Sequence, residues 1–111
     1  MREGDIVKIK LLQSDGNVKM RPALLLKRLP PFGDWLLCGI SSQVKKEVKN
    51  FDVLISLNHP DFKISSLKVP SIIRLGFITS VPKFKIEGSI GNISKTTYNK
   101  VISNLIEFLK K

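Results

Sequence analysis

Lys19-Met20-Arg21-Pro22-Ala23-Leu24-Leu25-Leu26 is the stretch on which the reading of this chain turns. Four apolar residues follow the turn signal Asp15-Gly16-Asn17 and read as a strand. Upstream, Val7, Ile9 and Leu11 alternate with Lys8 and Lys10, the period of two expected of another strand. The basic tripeptide Lys19-Met20-Arg21 is therefore pinned between two strands. An arginine just before a buried strand is placed to hold an anion. Its planar fork matches phosphate and keeps its charge at ordinary pH. The anion is either a nucleic-acid phosphate or a nearby carboxylate, with Asp5 and Glu3 as the local choices.

Working outward, Pro30-Pro31-Phe32-Gly33-Asp34 forms a rigid, turn-rich loop, and Trp35 to Ser42 a third strand. That strand is nearly all apolar until Ser41-Ser42-Gln43, so its polar residues sit at the exit. Trp35 reads as core, although with Phe32 it flanks a loop that could close over a substrate. Phe51 to Leu57 is a fourth strand. Asn58 to Phe62 is a turn or one helical turn, with Asn58 as cap and Pro60 in the first turn. Ser71 to Val81 is a longer strand interrupted by Gly76, which suggests a bulge or a close backbone approach. Lys85 to Ile93 alternates weakly. The period then changes: Tyr98, Val101, Ile102, Leu105, Ile106 and Leu109 recur at helical spacing behind Ser94 as N-cap. Five or six strands and a terminal helix make a mainly-β protein, a small curled antiparallel barrel closed by a helix, with a groove on one face.

The 111 residues correspond to one domain, 1–111, large enough to bury a core without disulfides. The single cysteine, Cys38, lies inside an apolar segment and reads as an inert buried thiol. No window is long and apolar enough for a membrane span, and the N-terminus lacks a secretion signal; the expectation is a cytoplasmic protein with no membrane partner. Nineteen Lys+Arg against nine Asp+Glu give a formal charge of +10, which favours polyanions: nucleic acid, acidic lipid or an acidic protein. His59, Asp52 and Asp61 read as turn residues. No Cys/His cluster has zinc spacing, and no acidic cluster suggests magnesium.

Gly4-Asp5-Ile6-Val7, Arg21-Pro22-Ala23-Leu24-Leu25-Leu26, Ile40-Ser41-Ser42-Gln43, Ser71-Ile72-Ile73-Arg74-Leu75 and Ile90-Gly91-Asn92-Ile93-Ser94 occur in that order along the chain. Together they resemble the MazF/PemK (CcdB-like) toxins of type II toxin–antitoxin systems. The resemblance implies an SH3-like barrel, a homodimer, a cofactor-free and metal-independent endoribonuclease acting on single-stranded RNA, and an acidic, partly disordered antitoxin as partner. It implies catalytic roles for Arg21 on the scissile phosphate, for the Ser41 hydroxyl, and for Arg74. In part of that family an acidic residue two positions beyond this arginine serves in acid–base catalysis; here it is Gly76. A regular strand would set residues 74 and 76 on one face, so the loss would fall within the site.

Gln43 is placed to support the site or contact a base; its neighbour Ser42, also a substrate-binding candidate, would point to the other face of the strand. Lys45 and Lys46, with Lys49, read either as a track for the RNA backbone or as solvated lysines, and Lys19 of the basic tripeptide is a further substrate-binding candidate. The rival reading is a non-catalytic polyanion-binding barrel that takes RNA, DNA or an acidic protein.

Overall fold

Strand period and turn chemistry build six strands in the computed structural model, which describes residues 1–111. These are β1 (Asp5–Leu12), β2 (Val18–Leu29), β3 (Asp34–Ser41), β4 (Val53–Ile55), β5 (Ser71–Val81) and β6 (Ser89–Asn92). A four-residue helix, α1 (Phe62–Ser65), and a long C-terminal helix, α2 (Lys95–Lys110), complete the fold. All neighbouring strands are antiparallel, in the order β4-β5-β3-β2-β1-β6, and curl into a half-barrel.

The continuous apolar runs in β2 and β3 have a direct cause: both faces of the sheet are covered. Ile6, Leu24, Leu26, Cys38, Ile40 and Ile73 point to one side, where Val101 of α2 and Leu67 complete a core. Val7, Ile9, Ala23, Leu25, Trp35 and Leu37 point to the other, where Ile86 covers them. Successive residues thus feed opposite cores, so neither face of the central strands tolerates a polar side chain. Cys38 is fully buried, and burial pushes its thiol up to about 12, so it stays protonated and unreactive at neutral pH.

α1 spans the gap between the two edges of the sheet. It follows β4 and packs on β6 at the far edge, where a Cβ on Gly91 would collide with the Ser65 carbonyl oxygen. Asp61, not Asn58, occupies the N-cap position of α1, and its side chain caps nothing there. Instead its Oδ2 accepts hydrogen bonds of 2.9 Å from the Ser94 backbone N–H and the Ser94 hydroxyl. Ser94 in turn caps α2 by accepting from the Thr97 N–H at 3.3 Å. Asp61 is 3% exposed and ties α1 to the start of α2, so it is a buried anchor rather than a turn residue.

Asp52 is likewise an anchor. Its Oδ2 accepts from the Val48 N–H at 2.9 Å, and its Oδ1 from the Leu75 N–H at 3.1 Å. The second bond meets a need created by β5. Between Cys38 and Gly39 of β3 the register jumps from Ile78 to Arg74, so Leu75, Gly76 and Phe77 bulge out of the ladder. The bulge expected at Gly76 is present, and Asp52 satisfies the buried N–H that it strands.

Candidate functional site

Arg21 and Ser41 come to one face of the sheet by register. Ala23 pairs with Gly39, and directly paired residues share a face. Arg21 lies two residues before Ala23 and Ser41 two after Gly39, so alternation sets both on that face. On the other side of β3, Gly39 pairs with Arg74, which adds the second guanidinium. The three side chains line a cleft of about 370 Å³ together with Ser42, Gln43, Lys46, Phe77 and the turn after β1. The residue at the centre of this group, Gly39, contributes no side chain, and the Phe77 ring lies over its bare backbone.

The cleft has one sign of charge. Arg21, Lys46 and Arg74 line it, and no carboxylate or histidine does. Arg21 makes no ion pair with Asp5 or Glu3: the single salt bridge in the molecule joins Lys49 to Glu47. Arg21 Nη2 donates to Gln13 Oε1 at 3.3 Å, and Gln13 Nε2 donates to the Leu11 carbonyl at 3.0 Å. A neutral amide thus orients the guanidinium, which forms no ion pair. The Ser41 Oγ accepts a 3.1 Å hydrogen bond from the Gln43 N–H. With its oxygen fixed from one side, the hydroxyl hydrogen remains free to donate into the cleft.

Other sequence expectations fall elsewhere. Lys19 is paired with Leu11 near the hairpin turn and does not line the cleft, and Lys45 turns away from it within the 3-10 turn Val44–Lys46. Lys49 pairs with Glu47 at 3.1 Å, and of these four lysines only Lys46 lines the cleft. Phe32, 83% exposed, lies at the end of the β2–β3 hairpin opposite Arg21 and does not line the cleft. Trp35 is core, 1% exposed, with the Arg28 guanidinium 5.1 Å from its ring centre. His59 Nδ1 accepts from the Asp61 N–H at 2.9 Å and serves its own turn.

Gly76 also departs from expectation. The bulge reverses the alternation, so that Phe77 joins Arg74 in the cleft. A Cβ on Gly76 would instead approach Phe51 at 4.0 Å, and Phe51 packs on the core beneath α2. Residues 74 and 76 are not neighbours on one face here. Phe77 itself was missed by sequence reasoning, because in a strand of apolar residues it reads as core. The usable signal was Gly39, a glycine among large residues that leaves room for an aromatic ring.

A model of the PemK-like, MazF-like toxins of type II toxin–antitoxin systems matches residues 2–109. The chain belongs to this family. Among solved structures it is similar to the Mycobacterium tuberculosis toxin MazF-mt6, with a TM-score of 0.71 over 96% of each chain at 17% identity. At that identity the likeness speaks for the MazF-type fold. Comparison with curated protein sequences gives no significant match. As a type II toxin the chain has an antitoxin as its partner class. No helix is long and apolar enough to cross a membrane.

Proposed function

We propose that this toxin is a metal-independent endoribonuclease that cleaves single-stranded RNA by 2′-hydroxyl transesterification. The observation that carries the reading is the convergence of Arg21, Ser41 and Arg74, from three separate strands, on one cleft without a single acid. Such a cleft attracts a phosphodiester and repels nothing about it. In this reading the 2′-oxygen attacks phosphorus and the P–O5′ bond breaks, leaving a 2′,3′-cyclic phosphate and a 5′-hydroxyl. Arg21 and Arg74 bear on the non-bridging oxygens, whose charge grows in the phosphorane, and Ser41 donates to one of them to hold the phosphate in line. The proton lost from O2′ passes to water and O5′ takes one from water, because the cleft offers no carboxylate or histidine. A net charge of +10 favours an acidic antitoxin, and association as a homodimer follows the family pattern.

Incubating the purified protein with a long mRNA in EDTA tests this directly. Cleavage ends should carry cyclic phosphate and 5′-hydroxyl groups. Arg21→Ala should lower the rate by about 10²-fold or more, the scale of removing one preorganised oxyanion donor. Its melting temperature should stay near that of the wild type, since Arg21 is exposed and holds only Gln13. The lack of a carboxylate or histidine in the cleft favours one other reading, RNA binding without cleavage. A folded protein that retards single-stranded RNA and leaves it intact would establish that reading instead.

A further inference from the structure

Phe77 lies against Gly39. A Cβ built on Gly39 would meet Phe77 Cδ1 at 3.4 Å, Cγ at 3.5 Å and Cβ at 3.7 Å, ordinary contact distances, so the ring rests directly over the bare backbone of β3 and only a side chain larger than alanine would push into it. The sheet supports the ring from below, and the half-buried residue lines the cleft alongside Arg21 and Arg74. No other aromatic side chain lines it. An aromatic face held beside cations that lack ion-pair partners suits an unpaired nucleotide: the cation takes the phosphate and the ring takes the base.

We propose that Phe77 is the stacking platform for a base adjoining the phosphate held by Arg21 and Arg74, and that Gly39 sets the height of the ring. This rests on the RNA reading above and adds a base contact to it. Gln43, in the same cleft, carries an amide that can both donate to and accept from a base edge.

The test compares two labelled single strands of equal length and phosphate count by fluorescence anisotropy. One is a mixed-sequence 2′-O-methyl RNA, which cannot undergo transesterification. The other is its abasic counterpart. Wild type should bind the base-bearing strand about tenfold more tightly, the effect of one stacked base. Phe77→Leu keeps apolar bulk but loses the π face, and should weaken only the base-bearing strand. Phe77→Trp should retain the difference. Gly39→Val, which displaces the ring without changing it, should reproduce the leucine result, with melting curves reporting the fold of each variant. A tenfold gap that survives Phe77→Leu, or equal weakening of both strands, overturns the role of Phe77 and leaves RNA binding standing. Failure of wild type to bind either strand overturns the RNA reading itself, and this inference with it.

Discussion

At the residue scale, Asp61 shows how a carboxylate can be kept charged inside a small protein. Burial alone would raise the Asp61 pKa, but hydrogen bonds from Thr97 and Ser94, with His59 nearby, outweigh it and hold the group below its ordinary 3.8. The sign of the consequence is fixed. A carboxyl group whose folded pKa lies below its unfolded one stabilises the fold above about pH 4, and that contribution disappears as pH falls through the lower folded value. Asp61→Asn should therefore cost about 1–3 kcal/mol at neutral pH, the scale of a disrupted buried polar network. It should also flatten the acid limb of stability, as measured by urea unfolding at neutral pH and near pH 3. An acid limb as steep as that of wild type would mean that other carboxylates carry it. In the sequence, neither Asp52 nor Asp61 announced this role, because an aspartate beside a loop is ordinarily a turn former. The partners that make them anchors, Leu75 and Ser94, lie 23 and 33 residues away, beyond any local pattern.

At the element scale, β5 is the strand whose irregularity matters. Its composition and length were legible, and so was the interruption at Gly76. The direction of the side chains beyond it was not. Alternation within one strand says nothing about extra residues that only the partner strand can register, and here Cys38 and Gly39 span the step from Ile78 to Arg74. Two expectations follow. Gly76→Asp should bring no gain in RNA cleavage, because the new carboxylate would lie toward Phe51 rather than Arg74. A marked gain would show that the bulge rearranges. Asp52→Ala should leave the Leu75 N–H unsatisfied, costing about 1–3 kcal/mol. It should also reduce cleavage beyond what the lost stability explains at temperatures where the protein remains folded, because Leu75 adjoins Arg74. By contrast, the capped α2 and the alternating β1 were plain in the sequence, and the apolar runs marked the middles of β2 and β3. The ends of β2 were not: it runs from Val18 to Leu29, so Lys19-Met20-Arg21 lies within the strand rather than between two strands.

At the scale of the whole molecule, the chain divides its sheet between two tasks. One face carries the larger core under α2. The other packs its smaller core around Trp35 and opens, at the far end of β2 and β3, into the cationic cleft. The family motifs in the sequence named Arg21, Ser41 and Arg74; only register could say that they share a face. The excess of positive charge sets the physical character of binding. Affinity for single-stranded RNA should fall with salt, each neutralised phosphate adding about −0.7 to the slope of log K against log salt. Lys46→Ala, which removes one of three cleft cations, should make that slope shallower by about 0.7, whereas Lys19→Ala should change it less. Equal effects from the two lysines would mean that RNA follows the hairpin as well as the cleft.

Gly39 has a bearing on how such a toxin diversifies. The position supports no bond to phosphate and holds no charge, yet the size of whatever stands there governs what can rest on it. A lineage could enlarge or reshape that one residue and so shift which RNA it prefers. The arginines would be untouched. Preference and chemistry would then evolve on separate clocks, the first drifting through a single small codon change while the second stands still.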